Sequence, residues 1–321
     1  MKEKDSFRGN NIDQKFAEDF KNSKFYTEIY KKHRDELIIA VRDGYINLYH
    51  NCNSIAKIDV GSPQKAHINT YYYTGKSGKY MSLTDDELAS NYKKIIFNSD
   101  HRQKLEKQAQ EQLVIANNNN KNSEWYCIDV EYTKSLKGKL KAEDWRFDII
   151  AITKTSPHRV ALIELKYGYS ALQGKSGIRK HIKDFYSFYK DEKFSMIMPE
   201  IVSIINGLVL CVDDNDIPQS LKKISCENIH PNPEFYFITL NDKEGKAKQI
   251  MSGQLFKDKR WGCKRISSLV NKEDYFAMIH SDKDFNPTFL FSKKTLPNIN
   301  ILDILDAQYY DDVETDIGLT I

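Results

Sequence analysis

The sequence predicts a mixed α/β protein. Its centre, residues 99–240, reads as helix, three strands, helix and strand on a mixed sheet, between an α+β unit (1–98) and an extension (241–321). Three observations carry this. The runs 125–133, 145–153 and 159–166 are apolar and rich in β-branched and aromatic residues, the pattern of a strand meander. Residues 99–116 place Leu105, Ala109, Gln112 and Leu113 on one helical face. Residues 174–190 do the same with Ile178, Ile182, Phe185 and Tyr189.

From the N-terminus, residues 12–36 read as one or two helices with Phe16, Phe20, Ile29 and Tyr30 as the apolar stripe. Asp43-Gly44 marks a hairpin between strands at 37–41 and 45–49, and a third strand follows. Residues 67–73 read as a further strand. Thr84 is the N-cap of a short helix, and Ser99 that of the helix over 99–116. After the second long helix, strands are expected at 207–212 and 234–240, the first inside the most apolar stretch of the chain, 201–212. Asp303, Asp306, Asp311, Asp312, Glu314 and Asp316 form an acidic tail that need not fold.

Composition narrows the functional classes. The chain has 321 residues, enough for one large or two modest cores, and no run of about 18 uninterrupted apolar residues expected of a membrane span. Its first ten residues lack an apolar secretion segment. Five cysteines are odd in number and form no CxxC pair, against a disulfide framework or zinc knuckle and in keeping with a reducing cytoplasm. The net charge of +3 decides nothing, so the placement of charge matters more.

The stretch 145–168 carries the chemistry. Asp148 is embedded in an apolar strand, and Glu164 and Lys166 end the next. Alternation puts Glu164 and Lys166 on one face, about 6.6 Å apart along the strand, continuing the apolar positions Val160 and Leu162. Charge at the end of an apolar face needs compensation. A Mg²⁺ ion held by Asp148 and Glu164 would supply it, and Lys166 would then orient or help deprotonate an attacking water. A salt bridge between Asp148 and Lys166 without catalysis is the bland alternative. Acidic-x-Lys also occurs at Asp19-Phe20-Lys21, Asp191-Glu192-Lys193 and Glu244-Gly245-Lys246, so the motif alone means little. Its position, one short loop after a strand with an embedded Asp, distinguishes Glu164-Leu165-Lys166.

These residues, in this order of elements, resemble the PD-(D/E)XK or restriction-endonuclease-like nucleases. Phe147 stands where the motif has proline. The resemblance covers residues 99–214 and implies an αβββαβ core and Mg²⁺-dependent (or Mn²⁺-dependent) phosphodiester hydrolysis. It implies Asp148, Glu164 and the Leu165 carbonyl as metal ligands and Lys166 as the water-orienting residue. Similar nucleases add an acid from the preceding helix, for which Glu111 is preferred over Glu106; either can equally be a solvated surface charge. Glu131 on the neighbouring strand is a further candidate. Gln173, Lys175 and Arg179 are the polar residues placed to meet phosphate, and His181 reads as an orienting or half-buried histidine.

Two basic segments suit a nucleic-acid backbone. One holds Lys134, Lys137, Lys139 and Lys141; the other holds Lys257, Lys259, Arg260, Lys264 and Arg265 around Trp261. Each is equally readable as a solvated loop. The expected partner is nucleic acid, DNA first, with no membrane; a dimer is compatible with this. A DNA endonuclease of defence, restriction or repair is the leading reading. A non-catalytic nucleic-acid-binding or assembly protein on the same fold is the rival, and an interaction module around the tyrosine-rich 71–73 a third.

Overall fold

The computed structural model describes residues 8–102, 104–134, 145–167, 178–240, 282, 284, 285 and 287–292. Helix α1 (Gln14–Asn22) starts at Asp13, whose carboxylate accepts the Phe16 N–H, and a π-helical turn (Phe25–Tyr30) follows. Phe16, Phe20, Phe25, Tyr26 and Ile29 form its buried side. Next come β1 (Ile38–Arg42), β2 (Tyr45–His50), β3 (Asn53–Asp59), β4 (Lys65–Asn69) and β5 (Tyr80–Thr84), an antiparallel meander in chain order. Gly44 turns the first hairpin at φ +71°, with Arg42 opposite Tyr45, as Asp43-Gly44 predicts.

The strand expected at 67–73 stops at Asn69. The Asn69 side chain accepts the Tyr71 N–H and begins α2 (Thr70–Thr74), which Gly75 closes in the left-handed conformation. Two local caps thus override the β-preference of three tyrosines. Thr84 starts α3 (Asp85–Ser90) as expected, in a capping box with Glu87.

The single helix expected over 99–116 is two helices, α4 (Tyr92–His101) and α5 (Leu105–Asn119). Ser99 is not an N-cap. It lies buried inside α4 and donates its hydroxyl to the His50 carbonyl, a long-range partner that the local sequence does not show.

The second sheet is mixed. Strands β6 (Trp125–Lys134), β7 (Trp145–Thr153) and β8 (Val160–Tyr167) form the expected antiparallel meander. After α6 (Ile178–Lys190) and α7 (Phe194–Cys211), β9 (Glu234–Leu240) pairs parallel to β8. Strand β10 (Thr288–Ser292), from the C-terminal extension, pairs parallel to β9. On one face Ile149, Ala151, Ala161, Ile163 and Leu165 meet Ala109, Leu113 and Val114 of α5. On the other, Ile150, Ile152, Val160 and Leu162 join a core with Ile182 and Phe185 of α6 and Ile197, Ile201 and Ile204 of α7.

The strand expected at 207–212 is therefore a correction: residues 194–211 are helical. A continuous apolar run reads equally as strand or buried helix, and length decides. The buried positions Ile197, Ile201, Ile204, Ile205, Leu208 and Cys211 recur at helical spacing. Among the described residues α7 is also the helix long and apolar enough to cross a membrane, and half of it lies buried inside this protein.

A buried ionic cluster joins the two sheets. At the end of β1, Arg42 pairs with Asp129 of β6 and donates to the Val130 carbonyl at 2.8 Å. The other Asp129 oxygen takes Arg8 at 2.5 Å. Arg8 also donates its backbone N–H to Glu200 of α7, which accepts the Tyr132 hydroxyl at 3.1 Å.

Candidate active site

Strands β7 and β8 bring Asp148, Glu164 and Lys166 together. The Leu165 N–H donates to Asp148 Oδ2 at 2.8 Å, so the carboxylate of one strand is held against the backbone of the next, between Glu164 and Lys166. Lys166 Nζ lies 2.5 Å from Glu164 Oε1, which confirms that the two share a face. His181 of α6 reaches the same oxygen with Nε2 at 3.1 Å, so the histidine reading as an orienting group fits its position. Leu165 itself points its side chain to the α5 side of the sheet.

Helix α5 supplies a further acid, and it is Glu106 rather than Glu111. Glu106 Oε1 is 3.6 Å from Lys166 Nζ, and its other oxygen accepts the Tyr167 N–H at 3.4 Å. Glu111 faces elsewhere. Its two oxygens accept the Asn51 and Cys52 N–H groups at 2.5 and 2.9 Å, in the tight turn between β2 and β3 where both residues have positive φ. Proximity along the helix misleads here because five residues turn the helix by about 140°. Burial pushes the Glu111 carboxyl up to about 7, against the pull of those two N–H donors. Glu111→Ala should leave two buried donors unpaired and lower stability by about 2–4 kcal/mol. Denaturant unfolding checks this; an unchanged midpoint would refute the structural role.

Glu131 lies on β6 in the left-handed conformation at φ +51° and pairs with Lys107 of α5 at 3.2 Å. Sequence reasoning missed Lys107, because nothing in a lone helical lysine signals a strand partner.

The electrostatics are those of a site short of positive charge. Burial raises Asp148 to about 7, with Lys166 and the Leu165 N–H opposing. Burial and the neighbouring Asp148 hold Glu164 well above the ordinary carboxylate range. Burial lowers Lys166, but Glu164, Asp148 and Glu106 more than offset it and keep the ammonium above its usual value. Among the described residues no three His, Cys, Asp or Glu side chains are gathered as a metal site. Glu164 Oε1 is engaged by Lys166 and His181 instead. In kind, the donors suit Mg²⁺: hard carboxylate oxygens whose mutual repulsion a cation would relieve.

Arg179 falls in the first turn of α6. Gln173, Lys175, Lys137, Lys139 and Lys141, the 257–265 segment and the acidic tail lie outside the described residues. Cys52, Cys127 and Cys211 are buried thiols that form no disulfide among the described residues. No family model, curated protein or solved structure matches the chain.

Proposed function

We propose that this chain is a metal-dependent nuclease of the PD-(D/E)XK type that hydrolyses phosphodiester bonds, in the first instance a cytoplasmic DNA endonuclease of defence, restriction or repair. The supporting observation is the meeting of Asp148, Glu164 and Lys166 across adjacent strands, locked by the Leu165 N–H. Asp148, Glu164 and the Leu165 carbonyl would hold Mg²⁺ or Mn²⁺. Bound there, the ion would polarise the phosphate and acidify the attacking water.

The chain's own groups have separable roles in this reading. The surrounding carboxylates hold the Lys166 ammonium above its usual range, and in this reading it orients water and stabilises charge on the phosphate. Glu106 and Glu164 hold that ammonium from two helix and strand positions. His181 fixes the Glu164 carboxylate. The engagement of Glu164 by Lys166 and His181 favours the second reading, a non-catalytic nucleic-acid-binding protein on this fold.

One assay separates them: plasmid and oligonucleotide incubated with Mg²⁺, Mn²⁺ or EDTA. Cleavage with either metal and none with EDTA is expected; intact substrate throughout would sink the enzyme reading.

Metal binding has its own signature. Asp148 and Glu164 have raised folded-state values, so the folded chain binds more protons than the unfolded one. Their contribution to stability is present at low pH and lost as pH rises through about 7 for Asp148. Mn²⁺ should offset that loss at about pH 8 and raise the melting temperature by mass action. The same shift in Asp148→Ala would reject the ligand assignment.

A further inference from the structure

We propose that the outer face of α4, with α2 beneath it, is a binding surface for an unpaired nucleic-acid strand leading to the candidate active site. The inference rests on the nuclease reading only for what lies at the end of the surface; the surface is argued from its own residues.

Phe97 is 61% exposed, one of four large apolar side chains that stand out in solvent among the described residues. It is not isolated. Its ring packs against His101 at 4.1 Å between centroids, tilted by 43°, one helical turn along. Lys93 and Lys94 lie one turn back on the same exposed face. Lys94 Nζ sits 5.0 Å above the Tyr73 ring, and the Arg102 guanidinium 4.8 Å above Tyr71. Both tyrosines belong to α2, which is bonded to α4 through Asn98 Nδ2 donating to the Tyr72 carbonyl.

Charge on this surface is mainly positive, with half-exposed Asp100 the acid one turn from Phe97. Lys93, Lys94 and Arg102 form no ion pair with a carboxylate among the described residues. The acids nearest in sequence are occupied elsewhere. Asp85 and Asp86 take Lys24, and Glu87 is spent on the α3 cap. Asp100 is engaged by Asn51, whose side-chain amide donates to it at 3.0 Å, and by His50 nearby. A row of cations interleaved with aromatic rings, of which Phe97 is the exposed one, matches alternating phosphates and bases, since every base offers a π-face and every phosphate a charge. Paired bases keep their faces stacked inside the duplex, so the exposed Phe97–His101 pair favours an unpaired strand.

The surface also points somewhere. From Lys93 to His101 the helix rises about 12 Å. Arg102, the C-cap of α4, precedes Glu106 by four residues, and Glu106 holds Lys166, so this end of the helix lies within about 15 Å of that glutamate. A strand cut at Lys166 would therefore lay neighbouring nucleotides along α4.

The test is anisotropy of a labelled single-stranded oligonucleotide and of its duplex, both in EDTA so that no cleavage occurs. Phe97 is exposed, so Phe97→Ala should fold normally and weaken single-strand binding about tenfold, with duplex binding little changed. Replacing Lys93 and Lys94 together by glutamine should reduce the slope of log affinity against log salt by about 1.4. Wild-type single-strand affinity in Phe97→Ala would overturn the proposal and leave the nuclease reading intact. Oligonucleotide binding that is lost in Phe97→Ala, from a wild type that never cleaves, would support the surface and sink the nuclease reading. If sedimentation shows that Phe97→Ala dissolves a dimer while oligonucleotide affinity holds, the face joins copies of this chain and the proposal fails.

Discussion

Asp129→Ala is expected to lower the unfolding free energy by about 3–5 kcal/mol, a large share of the roughly 5–15 kcal/mol that a folded domain has in total. Asp129 is almost wholly buried and is the shared acceptor of Arg8 and Arg42. Removing it leaves the Arg42 guanidinium buried with the Val41 and Val130 carbonyls and the Tyr49 hydroxyl but no counter-charge. An uncompensated buried charge is far more costly than a missing surface pair, because little water can reach it. The loss should appear as a lower denaturant midpoint with the slope unchanged. Converting Arg42 to Met alongside Asp129→Leu should recover part of the stability, since an apolar pair of similar bulk carries no desolvation penalty. A loss below about 1 kcal/mol for Asp129→Ala would mean that the cluster is hydrated and does not clamp the sheets.

Lys166→Ala should reduce cleavage by at least about 10²-fold, the scale on which one preorganised donor aimed at developing charge contributes. Its ammonium is the single described cation that touches both Glu106 and Glu164. Oligonucleotide affinity in EDTA should change little. Mn²⁺ binding should persist or strengthen, because Glu164 Oε1 loses a competitor. A variant that cleaves at the wild-type rate under saturating Mg²⁺ would show that Lys166 is an ordinary structural cation. One that fails only because it no longer binds Mn²⁺ would show the same.

Much of the candidate site is legible in the sequence because strand alternation is rigid. Once residues 160–167 are extended, Glu164 and Lys166 must share a face, and their contact follows. The Asp43-Gly44 turn and the Thr84 cap are equally local, and both appear as read. What the sequence hides is set at long range. Ser99 looks like an N-cap until His50 arrives to accept its proton. Glu106 and Glu111 are indistinguishable until the hairpin turn at Asn51 claims one and Lys166 the other. Arg42 and Asp129 are 87 positions apart, and no local pattern announces their pairing. Residues 207–212, the end of the helix over Phe194–Cys211, misread as strand because apolar side chains on nearly every position erase the period that would have named a helix.

The parallel pairing of β10 with β9 bears on how the chain is made. Ser292 emerges from the ribosome 52 residues after Leu240, about 3–10 s later at usual rates of synthesis. Throughout that interval Asp148, Glu164 and Lys166 already exist on β7 and β8, while β9 presents an unpaired edge of backbone donors and acceptors. The nascent chain thus passes through a stage in which the β9 edge is open to pairing with any extended segment it meets.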